Sequence, residues 1–403
     1  MNRWVEKRLG DCVSFLSGGT PARDNPGFWE GEIPWASNKD MKVSRLHDTI
    51  EHISSDAAES SSKVVPANSL LLVVRGMALA KMLPIAITQR PMAFNQDLKA
   101  LKAKEGISGA FLYYWFVANA DYVLSKADEA AHGTKRLQTP TLEELRVRLP
   151  FDLSEQDRIV SQLEQIDDWI ENCEKRIELL EEAARLIYTE WFVRLRYPGH
   201  RQKMAGTRNL PSDWEASTIG AVTSYLNRGV PPSYDKNSAK RVVNQKCIRD
   251  RQLSLEQARN LANEVSSEKW LQKGDVLINS TGTGTLGRVA QVREELDSVT
   301  VDTHVTIVRP NAGIFPWFFG QQLLRMEALF ESLGEGATNQ TELKRDRIRD
   351  TNFLLPSPQI MAAFDEKVEP MIEQIEVLKK QITQLRQARD LLLPRLISGQ
   401  LRI

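Results

Sequence analysis

The stretch that most resembles a chemical motif runs from Gly282 to Gly287, with the pattern Gly-x-Gly-x-x-Gly and Asp302 twenty residues after its first glycine. In a dinucleotide-binding fold, this pattern follows a strand and begins a helix whose N-terminus faces the pyrophosphate. Here the next residues are Arg288-Val289-Ala290-Gln291-Val292, which alternate as a strand does. Arg288-Val289 also stands where a phosphate-binding loop requires Lys and Ser or Thr. The motif therefore predicts a tight turn whose backbone can approach a ligand.

Residues that commonly catalyse reactions or bind metals are scattered along the chain. No metal-ligand spacing and no neighbouring cysteine accompanies any of the five histidines, which are His47, His52, His132, His200 and His304. The three cysteines are far apart and are expected to be reduced packing residues: Cys12, Cys173 and Cys247. We predict a non-catalytic chain that binds no cofactor or metal of its own.

Polar and basic side chains are concentrated instead in loops between short apolar runs. Arg, Lys, Asn and Gln can read base edges bidentately, while Ser, Thr and Lys suit phosphates. Surface loops are polar in most proteins, so each residue taken singly also has that ordinary explanation. The predicted DNA-binding residues of the first half are Ser37, Asn38, Lys39, Arg75, Lys81, Lys135, Arg136 and Gln138. Those of the second half are Asn244, Gln245, Lys246, Ser280, Thr281, Thr283, Thr285, Arg288, Asn339, Gln340 and Lys344.

Two long helices must position these loops. From Ile159 to Trp191, apolar or small residues recur in alternating steps of four and three, which is the a/d seam of a coiled-coil helix about 50 Å long. The same steps recur from Met361 to Leu385 and resume at Leu392, so the two helices are expected to pack together. Ser154 is the expected N-cap of the first helix. Pro370 is expected to bend the second helix or mark a late start.

An internal repeat with an offset near 205 residues organises the remainder. Trp4, Gly10 and Gly19 are matched by Trp214, Gly220 and Gly229, and the order of later matches is the same in both halves. Each half is predicted to contain short strands, such as 70–74 and 276–278, followed by a short helix at 110–124 or 315–333. A polar loop, a last strand ending in Leu-Pro and the long helix then follow, and 194–211 reads as the linker between the halves.

Composition is that of a soluble globular protein, with 41% hydrophobic and 26% charged residues in 403. The absence of a long apolar run and of a secretory leader favours a cytoplasmic protein. The formal net charge is zero, which counts at first against nucleic-acid binding. Residues 151–200 hold six Lys and Arg against twelve Asp and Glu, however, so the globular segments are slightly basic.

With these residues considered, the chain resembles a type I restriction-modification DNA specificity (S) subunit over essentially its whole length. The similarity is carried by Gly18-Gly19-Thr20-Pro21, Ile33-Pro34-Trp35, Asn95-Gln96-Asp97, Leu153 to Val160, Glu190-Trp191-Phe192-Val193, Lys273 to Ile278 and Ser398-Gly399-Gln400-Leu401. Two departures are that Met77 to Lys81 replaces the glycine turn in the first half, and that the second long helix lacks the Glu-Gln pair at its start.

The resemblance implies an α+β fold with two β-rich globular target-recognition domains, separated by two long antiparallel coiled-coil helices and related by a pseudo-twofold internal repeat. The expected domains are 1–150 and 201–356, with spacer helices in 151–200 and 357–403. Each domain is expected to read one half of a bipartite site in double-stranded DNA. The expected partners are two methyltransferase (M) subunits, which bring S-adenosylmethionine and methylate adenine, and restriction (R) subunits that cleave.

Two other classes of protein fit parts of the pattern. A non-catalytic coiled-coil adaptor would hold two protein ligands at a fixed spacing and bind DNA no better than the salt-screened background. A methyltransferase or nuclease with degenerate motifs would bind S-adenosylmethionine or metal by itself. For the specificity subunit, we expect the two halves to read DNA independently and the helix pair to set the unread gap.

Overall fold

The computed structural model describes residues 4–129, 133–199, 211, 213–336 and 341–401. It divides into two compact units, the first formed by Met1–Glu171 with Thr383–Ile403 and the second by Asn172–Ile382. Within the described ranges, no helix has both the length and the apolar character needed to cross a membrane. The segment 200–210 of the predicted linker lies outside the described residues.

The first unit is built mainly of short strands. Its helices are α1 (Leu9–Cys12), α2 (Ser55–Ser61), α3 (Gly109–Ala118), α4 (Ala120–Leu124) and α5 (Thr139–Glu143). Its strands are β1 (Trp4–Arg8), β2 (Val13–Ser17), β3 (Ile33–Ala36), β4 (Arg45–Leu46), β5 (Glu51–Ile53), β6 (Val64–Val65), β7 (Leu70–Val73), β8 (Arg75–Gly76), β9 (Ile85–Thr88), β10 (Met92–Phe94), β11 (Leu98–Ala103), β12 (Asp128–Glu129), β13 (Lys135–Arg136) and β14 (Arg146–Pro150).

A five-stranded sheet in the order β2-β11-β7-β9-β4 forms the centre of this unit. All four residues of β7 are apolar and buried, as expected for a strand covered on both faces. Helix α3 packs on β9 and buries Phe111, Trp115 and Phe116, each of which contributes about 1.5–3 kcal/mol of burial. A second sheet, β5-β3-β10-β6, contains the parallel pair β3 and β10. Strand β1 pairs antiparallel with β14, which leads into a long helix.

That helix, α6, runs from Leu153 to Tyr188 and continues as a π-turn at Thr189–Val193. The second unit then contains helices α7 (Pro316–Leu324), α8 (Glu327–Ser332) and α9 (Arg345–Arg349), and the last helix of the chain, α10, is Pro358–Ile397. Its strands are β15 (Glu215–Thr218), β16 (Thr223–Arg228), β17 (Arg241–Val243), β18 (Ile248–Arg249), β19 (Gln252–Leu253), β20 (Arg259–Asn260), β21 (Val276–Asn279), β22 (Val289–Gln291), β23 (Val299–Val301), β24 (Val305–Pro310) and β25 (Asn352–Leu355).

The second unit repeats the topology of the first. Strands β16-β24-β21-β22 form the larger sheet, β17 and β23 form the parallel pair, and β15 pairs with β25 ahead of α10. Helix α7 packs on β22 as α3 packs on β9. The predicted helices 110–124 and 315–333 are each two short helices, because the chain turns at Asn119 in one and near Met326 in the other.

The α+β architecture and the two long helices are confirmed, with 36 residues in α6 and 40 in α10. In the first unit, Ile159 and Leu163 share a core with Leu393 and Leu396. In the second unit, Tyr188 and Trp191 both contact Phe364 edge-on. Within the first unit, Asp167, which is later on α6 than Ile159 and Leu163, pairs with Arg389, which is earlier on α10 than Leu393 and Leu396, so the helix segments of this unit run antiparallel.

The N-cap of the first long helix was predicted wrongly, and one of the two alternatives given for Pro370 is excluded. The N-cap of α6 is Asp152, whose Oδ1 accepts the Ser154 N–H at 3.2 Å and whose carbonyl accepts the N–H of Glu155, so Ser154 already lies inside the helix. Helix α10 begins at Pro358 and passes through Pro370, so Pro370 does not mark a late start. Proline inside a helix lacks the N–H donor and its ring crowds the carbonyl four residues earlier, so burial along the seam must offset both costs.

Candidate nucleic-acid interface

Three separated segments of the first unit, residues 37–39, 75–81 and 135–138, come together as what we term the first loop cluster. Strand β13 pairs with β8, which places Arg136 opposite Arg75. The Asn38 side chain donates to the Arg75 carbonyl at 3.0 Å and joins the third segment to them. Lys81 ends the turn Met77–Ala80, which contacts β13. Every described residue predicted from the first half therefore lies in one cluster.

Five basic side chains lie in this cluster, beside the acidic strand β12, whose Asp128 and Glu129 lie opposite Arg136 and Lys135. Its basic side chains are exposed or half-buried, and none of them forms a salt bridge with any described residue: Lys39, Arg75, Lys81, Lys135 and Arg136. By contrast, Ser37 is used structurally, since its hydroxyl donates to Asp40 at 2.9 Å and accepts the Lys39 N–H. Unpaired cations held together on one face attract a polyanion, and phosphates are the usual target of such a face.

Two polar residues at this face were missed by sequence reasoning. Gln96 and Lys99 line a cavity of about 400 Å³ together with Arg75, Arg136 and Gln138. Thr20 donates to Gln96 at 2.5 Å, and Lys99 donates to Ser17 at 2.7 Å. The Asn95-Gln96-Asp97 motif was a signal for the first of them; Lys99 lies on a strand and had no such signal.

The second loop cluster consists of residues 244–246, 280–288 and 342–344. Its centre is the glycine turn between β21 and β22, which pair antiparallel, so the predicted turn is confirmed. Gly282 has φ +106°, and a Cβ there would lie 2.4 Å from Thr285 Oγ1 and 2.8 Å from Gln245 Oε1. Glycine is therefore required for the Gln245 side chain to approach the turn.

The other predicted residues of the second half have varied surroundings. Thr283 and Lys246 are exposed, and Arg288 donates to the Gly284 carbonyl at 2.8 Å. Lys344 is paired with Glu335 at 2.7 Å. The Asn244 side chain accepts the Lys246 N–H and donates to the Gln257 carbonyl.

One predicted residue does not reach the surface, and two cannot be placed. Ser280 is fully buried, and its hydroxyl lies 2.6 Å from that of Thr306, so it is corrected from a contact residue to a core residue. Asn339 and Gln340 lie outside the described residues.

The same tight turn supports both clusters. Asn95 Oδ1 accepts the Asp97 N–H at 3.1 Å in the first unit, and Asp302 Oδ1 accepts the His304 N–H at 2.8 Å in the second. Both side chains are buried, and burial raises the pKa of Asp302 although the His304 N–H opposes the change. Asp302, which completed the apparent dinucleotide motif, is thus a turn-forming residue. His304 was not predicted as a site residue.

An apolar groove in the first unit has a different character. Ile166, Trp169, Leu385 and Leu401 are among the residues that line it, and Trp169 is 68% exposed. Such a surface suits an apolar partner rather than nucleic acid. Among the described residues, no group of three or more His, Cys, Asp or Glu side chains has the geometry to hold a metal ion.

Comparisons with known proteins find similarity to one kind of protein. The family model described as "Type I restriction modification DNA specificity domain" matches residues 1–182. The chain is 25% identical to the type I restriction enzyme MjaIX specificity subunit of Methanocaldococcus jannaschii, over 99% of this chain and 94% of that protein. It is 34% identical to the EcoR124I/EcoR124II specificity subunit of Escherichia coli over 40% of each chain. The crystal structure of the S subunit of a type I restriction-modification system from M. genitalium matches with a TM-score of 0.62 and 16% identity, over 98% of this chain and 96% of that one.

Proposed function

We propose that this chain is a specificity subunit of the type I restriction-modification family, whose DNA specificity domain matches residues 1–182, and that it reads a DNA site in two halves, one with each globular segment. Recognition of DNA sequence is the role of that family. The observation that carries the two-part reading is the repeated topology, in which each unit presents its own loop cluster at the same place. We assign one half-site to residues 1–150 and the other to 201–356.

Cations of each cluster would contact phosphates and orient the unit on the duplex, while amide and hydroxyl side chains would read base edges. Phosphate contacts supply affinity that falls with salt, and base contacts supply sequence preference. The chain itself would catalyse nothing. Two methyltransferase subunits would bring S-adenosylmethionine and methylate adenine, and restriction subunits would cleave.

Exchange of residues 201–356 for the matching segment of a relative tests the two-part reading. The hybrid is co-expressed with its methyltransferase subunits, and methylated sites are mapped across the genome. We expect one half of the methylated sequence to change and the other to remain. Exchange of residues 1–150 is the matched control and should change only the other half. A hybrid in which both halves change would refute independent reading.

Residues 151–200 and 357–403 are proposed to set the unread gap, because α6 and α10 each supply residues to both units. A heptad inserted after Cys173 and matched in α10 adds about 10 Å, or about three stacked base pairs, and keeps the seam in phase. The mapped gap should lengthen by two or three base pairs with both half-sites unchanged. An insertion of two residues rotates the helix by about 200° and should abolish paired recognition. An unaltered gap in the heptad variant would exclude this role.

The apolar groove beside Trp169 is the proposed docking surface for a methyltransferase subunit. An exposed Trp and three Leu side chains on a helix pair form a surface into which another helix can pack. Trp169→Glu should reduce co-purification of the methyltransferase subunit, with Glu174→Gln on the same helix as the control. Equal co-purification of both variants would place the docking surface elsewhere.

A further inference from the structure

His304 is exposed and yet held at three points. It lies in the turn between β23 and β24, where its backbone N–H donates to Asp302 Oδ1 at 2.8 Å and its carbonyl accepts the Ser280 N–H at 2.8 Å. Its ring Nδ1 lies 2.6 Å from Thr281 Oγ1. Immobilising an exposed side chain costs conformational entropy, and a surface ring has no packing need for such constraint. A pre-positioned group is what a binding site requires.

We propose that His304 is a DNA-contacting residue of the second unit and that Thr281 is the positioning residue that fixes its ring. The free ring nitrogen, Nε2, has no hydrogen-bond partner among the described residues. It would donate its proton to an acceptor on DNA, either a phosphate oxygen or an acceptor on a base edge. This inference rests on the proposed function, because it assumes that the second unit reads a half-site.

We assign the ring proton to Nε2 from the contacts of Thr281, in which either the hydroxyl or the ring nitrogen can be the donor. Its hydroxyl has two neighbouring acceptors, His304 Nδ1 at 2.6 Å and Gln245 Oε1 at 3.5 Å. The longer contact is at the limit of a hydrogen bond, so the hydroxyl proton is better placed toward Nδ1. A neutral imidazole that accepts at Nδ1 carries its own proton on Nε2. With this assignment the ring presents an N–H donor to the solvent. Removal of the Thr281 hydroxyl would leave the ring free to adopt either tautomer.

The repeat gives the residue a counterpart of different chemistry. Asp97 occupies the same position of the same turn in the first unit, where its N–H donates to Asn95. An ionised carboxylate accepts hydrogen bonds only and repels phosphate. The first unit thus makes no equivalent contact, and the effect of changing His304 is confined to the second half-site.

The test uses the chain in complex with its methyltransferase subunits. DNA affinity and the methylated sequence are measured for wild type, His304→Ala, His304→Gln, Thr281→Val, Thr281→Ser and the double variant Thr281→Val/His304→Ala. Loss of one hydrogen bond should weaken binding about tenfold in His304→Ala and in Thr281→Val. Gln supplies a donor amide near the position of Nε2 and Ser retains the hydroxyl, so both should recover much of the loss. The double variant should be no weaker than His304→Ala.

The outcomes show which group of DNA accepts the hydrogen bond from His304, or that no such bond forms. Loss of base preference at one position of the second half-site identifies an acceptor on a base edge. Weaker DNA binding with an unchanged methylated sequence identifies a phosphate oxygen. Unchanged reading of the first half in the same variant excludes global misfolding. Wild-type behaviour of His304→Ala overturns the contact, and additive loss in the double variant overturns the positioning role. If the exchange of 201–356 still changes one half-site in that case, the proposed function survives without His304.

Discussion

The two loop clusters occupy the same place in the same topology, yet they differ in charge. The first holds five basic side chains that have no salt-bridge partner among the described residues. In the second, only Lys246 and Arg288 remain without such a partner, since Lys344 is paired with Glu335. Hydroxyl and amide groups take the place of charge around its glycine turn. Under the proposed function, one scaffold would hold DNA in two ways, with phosphate contacts concentrated in the first unit and local hydrogen bonds in the second.

Removal of charge from the first cluster should have the largest effect. The triple variant Arg75→Gln, Lys135→Gln and Arg136→Gln removes three phosphate-directed cations, so the slope of log affinity on log salt should become shallower by about 2 to 3. Binding should be measured in complex with the methyltransferase subunits across a range of salt concentrations. The matched double variant Lys246→Gln and Arg288→Gln should change the slope by less than about 2. Equal changes of slope in the two variants would show that the two clusters do not differ in their contacts to phosphate.

Substitution at the glycine turn is expected to have the next largest effect. Gly282→Ala forces a Cβ toward Thr285 and Gln245 at a positive φ, at a cost of about 1–3 kcal/mol. The second half of the methylated sequence should be relaxed while the first is retained. Gly284→Ala is the control, because its φ is also positive but a Cβ there meets nothing within 4 Å. If both variants relax the second half equally, strain rather than the approach of Gln245 explains the result.

The smallest expected effect concerns the hydrogen bonds that hold the N-terminus of α3 in the first unit and of α7 in the second. Ser108 caps α3 locally and its N–H donates to the buried amide of Gln156 at 2.8 Å. In the second unit, Asp365 of α10 accepts the N–H groups of Trp317 and Phe318 at 2.9 and 2.8 Å. Burial raises the pKa of Asp365 to about 7, with a further increase from Glu369 and opposition from the two N–H groups. Only the second unit therefore has an anchor that titrates.

Because the folded pKa of Asp365 is above its unfolded value of 3.8, the folded state holds this proton more tightly. The associated stability is fully present below pH 3.8 and is lost as pH rises to about 7. Between pH 5.5 and 8.5 the free energy of unfolding of the second unit should fall by about 1–2 kcal/mol. Amide hydrogen exchange measures each unit separately, and Asp365→Asn should remove this part of the dependence. An unchanged pH profile in Asp365→Asn would show that another group is responsible.

The long helices were predictable because their seams repeat over more than thirty residues, so single exceptions do not obscure the pattern. The seam residues Ile159, Leu163, Phe364 and Leu378 are buried as that pattern requires. The N-cap was not predictable to the residue, since Asp152 and Ser154 are both good caps and only the packing of the first turn distinguishes them.

The site was predictable as loops but not as individual side chains. Ser280 and Thr281 are neighbours of similar chemistry, yet the alternation at the end of β21 turns one inward to Thr306 and the other outward to His304. His304 belonged to no spacing pattern, because its partners come from other segments of the chain. Residue type identifies what a side chain can bind, whereas orientation depends on contacts that are distant in sequence.

The ion pair between Asp167 and Arg389 in the first unit has a consequence for the alignment of its two long helices. Asp167 accepts from Arg389 at 3.0 Å and from the Tyr114 hydroxyl at 2.7 Å. Leu and Ile side chains along a seam are interchangeable, so an apolar seam alone would tolerate a slip of α10 by one turn, about 5.4 Å. Such a slip would carry Arg389 past Asp167 and leave that largely buried carboxylate without its cation, while Arg389 would keep its pairing with Asp390. The polar pair thus fixes the register of the helices. A helix pair that has slipped by one turn is then a separate state of higher free energy than the native register.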